Sequence, residues 1–189
     1  MPSEKANLRN NCLQIRKAIA PKERDEKSAV IAKKLEGTKE FKKAKHVLFY
    51  YAYEFEVNTI PLIEKWSGKK QIYLPKLINE NEFEALPFDG LGNTKKGRYG
   101  IREPIEKGPH KKYGGEIDLI IVPGVAFDAN CNRLGMGKGF YDRYLARFKK
   151  VPKIALAFEE QMLDNVPKDT YDKPVDLVIT DKNIYLRNA

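Results

Sequence analysis

The stretch IDLIIVPGVAFDANCNRLGMGKGFYDR, residues 117–143, decides the fold class. It begins with a short aliphatic run, 117–122, which is typical of a buried strand and is ended by Pro123-Gly124. A glycine-rich loop follows, and the segment from about Gly139 to Phe148 is predicted to be a helix. Strand, loop and helix in this order indicate an α/β protein.

The same alternation continues on both sides of this stretch. Further strands are predicted at 46–52, 71–74, 83–88, 153–158, 175–180 and 184–186. Helices are predicted over 3–19, 21–37, 38–44 and 58–66, the first with Leu8, Cys12, Ile15 and Ile19 on one apolar face. Strands alternating with helices favour a mostly parallel sheet covered on both faces. The segment 89–116 is rich in Gly, Lys and Pro and is predicted to be a long loop.

Length and composition limit the class of protein. A chain of 189 residues suits one domain, predicted over residues 1–189, since domains run to roughly 100–200 residues. Hydrophobic residues make up 42% and charged residues 32%, which excludes a disordered tail and a membrane protein. Neither a secretory signal nor an apolar run of the roughly 18 residues that a membrane span needs is found, so a cytoplasmic protein is predicted. Cys12 and Cys131 match no metal or redox spacing and are predicted to be buried thiols.

The net charge of +9 favours an anionic partner, which could be nucleic acid, an anionic membrane or a phosphorylated or polyacidic small molecule. Residues 1–45 hold most of the excess, with 13 Lys and Arg against 6 Asp and Glu. The simplest interpretation of that excess is a set of solvated, lysine-rich helix faces. The aromatic residues fall mainly in strand-like runs, which speaks against an RNA-binding module.

The glycine-rich loop predicts a phosphate site. Gly135, Gly137 and Gly139 let the backbone approach a ligand, and Arg133 and Lys138 add positive charge at the same place. Its spacing is neither that of a P-loop nor that of a dinucleotide-binding fingerprint.

An acid lies next to this predicted phosphate site. Asp142 would repel a bound phosphate unless a cation lay between them, so a magnesium ion is predicted.

At these residues the sequence resembles the 5-formyltetrahydrofolate cyclo-ligase family. The matching positions are Pro123-Gly124, Phe127-Asp128, Arg133-Leu134-Gly135, Gly137 and Gly139-Phe140-Tyr141-Asp142-Arg143. Similar features extend over nearly the whole chain: Lys5 with Arg9, Glu56 with Thr59, Glu103-Pro104, Phe158-Glu159 with Gln161, Val166-Pro167 and Asp172. Two positions depart from the pattern. Cys131 stands where glycine is usual, so Asn130 or Asn132 is expected to carry the turn, and Tyr171 stands where histidine is frequent.

The resemblance implies a fold and a reaction. The fold is a three-layer α/β/α sandwich with a mostly parallel sheet, related to the sugar-phosphate isomerase and CoA-transferase group. The reaction is the ATP- and magnesium-dependent cyclisation of 5-formyltetrahydrofolate to 5,10-methenyltetrahydrofolate, with release of ADP and phosphate. The implied partners are therefore these small molecules, including polyglutamylated folates, and neither nucleic acid nor a membrane. A monomer is predicted.

The resemblance also implies roles for residues. ATP would be bound by Lys5, Arg9, Arg133, Leu134, Gly135, Met136, Gly137, Lys138, Gly139, Phe140 and Tyr141. The folate would be bound by Tyr51, Glu56, Met136, Gly137, Lys138, Gly139 and Phe140. Asp142 and Asp172 would hold magnesium, and Lys138 and Arg133 would act in catalysis.

Ordinary structural roles compete with several of these functional ones. Without the resemblance, Lys5 and Arg9 are best interpreted as two solvated cations. Glu56 could be an exposed loop acid, and Tyr51 is equally well interpreted as a core aromatic. Four positions apart on a predicted helix, Lys5 and Arg9 nevertheless share one face and could clamp a triphosphate together.

Overall fold

The computed structural model describes residues 4–106 and 116–188. Within these residues the helices are α1 (Glu4–Ala18), α2 (Pro21–Gly37), α3 (Lys39–Lys43), α4 (Ile60–Trp66) and α5 (Phe140–Ala146). The strands are β1 (His46–Leu48), β2 (Gln71–Leu77), β3 (Phe83–Pro87), β4 (Thr94–Lys96), β5 (Arg102–Pro104), β6 (Leu119–Val122), β7 (Ala126–Asp128), β8 (Arg133–Leu134), β9 (Lys153–Leu156), β10 (Met162–Leu163), β11 (Leu177–Ile179) and β12 (Ile184–Leu186).

Seven strands form the central sheet in the order β12-β11-β9-β6-β1-β2-β3. The five inner strands are parallel, whereas β12 and β3 pair antiparallel at the two edges. The predicted mostly parallel sheet is therefore confirmed. The predicted strand 46–52 is shorter in the structure, where β1 ends at Leu48.

Helices cover both faces of this sheet, which confirms the three layers. Successive residues of a strand point to opposite faces, so Leu119 and Ile121 enter one core and Ile120 and Val122 the other. The first core is completed by residues of α2, α3 and α4, among them Ile31, Phe41 and Ile63. The second core is completed by residues of α5, among them Tyr144 and Leu145.

Helix α1 does not use the whole predicted apolar face. Cys12 and Ile19 are buried, but Ile15 is 45% exposed and its neighbour Arg16 is only 6% exposed. The prediction for Ile15 was therefore wrong. Through Cys12 the helix contacts a small third core that includes Leu134, and this rotation turns Arg16 inward.

The predicted loop 89–116 was wrong in its middle part. Strands β4 and β5 form an antiparallel hairpin there, and β5 contacts β2. A second small sheet, with strand order β10-β7-β8, was also not predicted. These strands are only two or three residues long, too short for a hydrophobic period to appear in the sequence. Within 4–106 and 116–188 no helix has the length and apolar character of a membrane span.

Both cysteines are free and buried, as predicted. Cys131 itself adopts the left-handed conformation, with φ of 61°, so the expectation that Asn130 or Asn132 would carry this turn in its place was wrong. The turn is held by Asp128, whose buried carboxylate accepts hydrogen bonds from the backbone N–H groups of Asn130 and Asn132. It also accepts the Asn132 side-chain amide and the Val166 N–H. Asp128 therefore fixes the entry into the glycine-rich loop.

We expect Asp128→Asn to lower the free energy of unfolding by about 2–4 kcal/mol, because an amide donor would then face the Val166 N–H or the Asn132 amide in the interior. Urea unfolding measures this loss. Asp118→Asn is the matched control. Its carboxylate also accepts two backbone N–H groups, those of Lys45 and His46, but it is exposed, and we expect a loss of no more than about 1 kcal/mol. Equal losses in the two variants would contradict the role given to Asp128.

Candidate functional site

A cavity of about 880 Å³ opens beside the residues that follow β1 and β6. These are carboxyl ends of parallel strands, where open α/β sheets bind their ligands. Its wall is built from α1, the loop after β1, the β4–β5 hairpin, and the glycine-rich loop with the start of α5; the residues include Arg16, Tyr53, Phe55, Glu56, Tyr99, Ile101, Glu103, Gly124, Arg133, Gly135, Met136, Lys138, Gly139, Phe140, Tyr141 and Asp142.

A buried ion pair closes the glycine-rich loop. Arg133 Nη2 donates to Asp142 Oδ1 at 2.6 Å, and the Arg133 side chain is almost fully buried. The backbone N–H of Lys173 donates to the same carboxylate oxygen at 3.0 Å. The loop can turn between Arg133 and Asp142 because Gly137 and Gly139 have φ of 89° and 66°.

The two cations of α1 also reach this region. Lys5 Nζ lies 2.7 Å from Asp169 Oδ2 and 2.5 Å from Asp172 Oδ2. Arg9 Nε donates to the carbonyl of Gly135 at 2.8 Å. The structure thus places Lys5 and Arg9 against the predicted ATP loop and the late aspartate, and neither is a merely solvated cation.

The ion pair of Lys5 shifts the pKa values of both partners. Burial alone would raise the pKa of Asp172, but hydrogen bonds from Lys5 and the Asp169 N–H, together with the charge of Lys5, lower it. Burial alone would lower the pKa of Lys5, and its bonds to Asp169 and Asp172 raise it instead. Both groups therefore carry their charges at neutral pH.

Asp142 and Asp172 approach each other across 30 residues of sequence. The backbone N–H of Lys173, the residue after Asp172, donates to Asp142. The charge of Arg133, the partner of Asp142, also lowers the pKa of Asp172. Across the described ranges no group of three or more His, Cys, Asp and Glu side chains could hold a metal ion. Two carboxylates still fit magnesium, which commonly takes one or two protein carboxylates and completes its shell with phosphate oxygens and water.

Glu56 lies in the opposite wall of the cavity. Its Oε2 accepts the Tyr53 N–H at 3.0 Å. Burial raises the pKa of Glu56, and the charge of Arg16 opposes that rise only in part. Glu56 is thus not an exposed loop acid, because it belongs to the cavity.

Sequence reasoning missed Arg16 and Glu103. Arg16 follows Lys5 and Arg9 by eleven and seven residues, and this helical spacing could have placed it on their face. Glu103 is 8% exposed; its carboxylate accepts the Leu77 N–H, and burial raises its pKa. Glu103-Pro104 belongs to the family resemblance, but no site role was predicted for Glu103, because the hairpin that buries it was itself not predicted.

The remaining predicted site residues divide into two groups. Met136 and Lys138 are exposed at the cavity, and Gly139, Phe140 and Tyr141 form its wall at the start of α5. Tyr51 instead packs against the first core, and the side chain of Leu134 lies in the third core. The backbone of Leu134, whose carbonyl accepts the Val125 N–H, holds the loop in place.

We expect the Lys5–Asp172 pair to make stability depend on pH. Because the folded-state pKa of Asp172 is lowered, its charge stabilises the fold at neutral pH, and this contribution disappears as the pH falls through that lowered pKa. Asp172→Asn should therefore cost up to about 1 kcal/mol at neutral pH and almost nothing at about pH 2. Urea unfolding at both pH values measures the difference. Lys5→Met should show the same pattern, and a loss independent of pH in both variants would contradict it.

Comparison with known proteins identifies the family of this chain. The family model described as the 5-formyltetrahydrofolate cyclo-ligase family matches residues 2–181. The 5-formyltetrahydrofolate cyclo-ligase of Haemophilus influenzae is 35% identical over 72% of this chain and 75% of its own. The probable 5-formyltetrahydrofolate cyclo-ligase of Schizosaccharomyces pombe is 32% identical over 87% of this chain and 88% of its own.

Two solved structures share the fold. The 5,10-methenyltetrahydrofolate synthetase of Aquifex aeolicus superposes with a TM-score of 0.88 at 35% identity, covering 99% of this chain and 94% of that one. The corresponding synthetase of Mycoplasma pneumoniae gives a TM-score of 0.74 at 25% identity, covering 95% and 99%. The relation to the sugar-phosphate isomerase and CoA-transferase group stays a prediction. The family match and these relatives show that the chain belongs to the 5-formyltetrahydrofolate cyclo-ligase family.

Proposed function

We propose that this chain catalyses the ATP-dependent cyclisation of 5-formyltetrahydrofolate to 5,10-methenyltetrahydrofolate, with release of ADP and phosphate. Besides family membership, the observation that carries the proposal is one cavity with two chemically different walls. One wall holds Arg133, Lys138 and Asp142, which suit a magnesium-bound phosphate chain. The other holds Glu56, a carboxylate suited to the amino and N–H donors of a pterin.

The two ligands must meet in such a cavity. The formyl oxygen on N5 attacks the γ-phosphorus of ATP, and the bond from that phosphorus to the bridging oxygen breaks to release ADP. N10 then attacks the activated formyl carbon and loses its proton, and the carbon–oxygen bond breaks to release phosphate. Catalysis of phosphoryl transfer depends mainly on positioning and on neutralising charge, and both demands can be met by fixed cations around the loop.

On the ATP side, Arg133 is the fixed cation and Lys138 the mobile one. Arg133 is held by Asp142, so its position is set before any ligand arrives. Lys138 is exposed at the cavity and would follow the transferred phosphoryl group. Lys5 and Arg9 would clamp the triphosphate from α1, with the backbone of residues 133–141 enclosing it. Lys5 would then exchange its bond with Asp172 for a bond with phosphate.

Asp142 and Asp172 would hold the magnesium ion. When bound, the ion would neutralise charge on the phosphate oxygens during transfer. Asp142 has one oxygen, Oδ1, committed to Arg133 and the Lys173 N–H, so Oδ2 is the atom that would bind the ion.

On the folate side, Glu56 would bind the pterin, and the loop from Met136 to Phe140 would lie between the two substrates. Tyr51 stays a prediction as a folate contact, since its side chain packs on the first core. The single domain over residues 1–189, the monomeric state, the cytoplasmic location and the use of polyglutamylated folates also stay predictions.

The direct test mixes the protein with ATP, magnesium and 5-formyltetrahydrofolate. We expect the near-ultraviolet absorbance of the methenyl product to rise, and the rise should require ATP. Omitting ATP, and replacing magnesium by a chelator, are the controls. Folded protein that gives no absorbance change under the complete conditions would overturn the proposed function.

We expect Asp142→Asn to reduce kcat by at least about 100-fold, because the neutral amide weakens the hold on the cation that balances the phosphates. The amide oxygen can still accept from Arg133, but the buried guanidinium loses its counter-charge, so the thermal midpoint should fall by several degrees and turnover is measured well below it. Asp164→Asn changes an exposed aspartate away from the cavity wall and is the control for removing one negative charge. Wild-type turnover by Asp142→Asn would refute the role of Asp142.

A further inference from the structure

Arg16 is a buried cation whose bonding is incomplete. Its side chain belongs to a residue that is only 6% exposed, and it lines the cavity. Nη1 donates to the carbonyl of Gly124 at 3.3 Å. Nε is buried and has no hydrogen-bond partner within the described residues. A buried guanidinium without full partners is costly, so its orphan Nε, together with its place in the cavity wall, calls for an explanation.

Glu56 carries the complementary charge. Its Oε2 accepts the Tyr53 N–H, while Oε1 has no protein donor within the described residues. The charges of Arg16 and Glu56 act on each other, yet no direct ion pair joins these two side chains. A donor and an acceptor thus border the same space without satisfying each other.

The edge of a pterin matches this arrangement. Its pyrimidine ring presents a 2-amino group, an N3–H and a 4-oxo oxygen in sequence, that is, two donors followed by one acceptor. A carboxylate can accept from the first two, and a guanidinium can donate to the third. Glu56 alone satisfies only the donors and leaves the 4-oxo oxygen without a partner.

We propose that Arg16 is a specificity residue of the folate site, donating a hydrogen bond to the 4-oxo oxygen of the pterin whose amino and N3–H groups bind Glu56. This inference rests on the proposed function and adds a residue to it. Arg16 would contact the 4-position, where a 4-oxo pteridine has an acceptor and a 4-amino pteridine has donors. The 4-amino form also lacks the N3 hydrogen, and that second difference falls on Glu56, so only the Arg16 variants isolate the contribution of Arg16. A 4-amino group would turn its own N–H donors toward the guanidinium and leave both unsatisfied.

Helix α1 gives Arg16 its fixed position. The helix is held at its start by Lys5 and at its middle by Arg9, which bonds to the Gly135 carbonyl. Arg16 lies eleven residues after Lys5, about 16 Å along the helix axis. One rigid element therefore brings cations to the proposed ATP site and to the proposed folate site.

The test is equilibrium binding of 5-formyltetrahydrofolate and of its 4-amino counterpart, measured by titration calorimetry without ATP. We expect the wild-type protein to bind the 4-oxo ligand on the order of 100-fold more tightly. Arg16→Gln should weaken the 4-oxo ligand at least about tenfold and leave the 4-amino ligand unchanged or tighter, because a glutamine amide can also present an acceptor. Lys22→Gln, which removes an exposed cation outside the cavity, should change neither ligand.

Other results would contradict either the role of Arg16 or the proposed function. If the wild-type protein binds the 4-oxo ligand less than about tenfold more tightly than the 4-amino ligand, the inference is wrong. This measurement needs no variant, so the inference can be tested even if Arg16→Gln does not fold. Equal weakening of both ligands in folded Arg16→Gln also overturns it, because Arg16 would then only shape the cavity. Arg16→Lys, which keeps a donor and the charge, should retain the sign of the preference. A wild-type protein that binds neither ligand and gives no methenyl product overturns the proposed function itself.

Discussion

The buried contact between Arg133 and Asp142 sets the conditions for the rest of the site. A guanidinium and a carboxylate can leave water only if each satisfies the other, so neither can move without exposing an unpaired charge. Because Arg133 lies in β8, the edge strand of the small second sheet, and Asp142 lies in the first turn of α5, this one contact fixes both ends of the glycine-rich loop. The Lys173 N–H adds the segment that carries Asp172 to the same point.

A second charge pair repeats this design at α1. Lys5 holds Asp172 as Arg133 holds Asp142, so each carboxylate proposed to bind magnesium has a cation beside it. When a phosphate chain and its cation bind, the cations and carboxylates that are already in place would exchange partners. Binding would therefore require little reorganisation of the site.

The net positive charge favours an anionic ligand, in line with the proposed function, but it does not indicate where such a ligand would bind. On α1 the inward cations are Lys5, Arg9 and Arg16, whereas Lys17 is exposed on the same helix. On α2, Lys22 and Lys27 form ion pairs with neighbouring glutamates. Counting charges cannot separate these groups, because the direction of a side chain depends on how its helix is rotated.

Local signals predicted the central sheet and the glycine-rich loop, because aliphatic runs and closely spaced glycines are visible in a few residues. The β4–β5 hairpin was not predicted, because its strands are short and polar and are recognisable as strands only from their pairing in the structure. Ile15 and Arg16 show a different limit: adjacent positions differ by about 100° around a helix, and a few apolar residues do not fix its rotation that finely. Glu56 and Tyr51 could be separated only by tertiary packing, which put one in the cavity and the other on the core.

Gly124, at the end of β6, has a role beyond ending a strand. Its carbonyl accepts from both Arg16 and Gln161, and a Cβ atom at this position would lie 2.3 Å from the buried ring of Phe127. Any side chain there would have to displace that ring, and the ring lies in the second core. Substitution of Gly124 is therefore restricted by core packing. At this point of the cavity wall the interior of the protein, and not the ligand, determines which residue is tolerated.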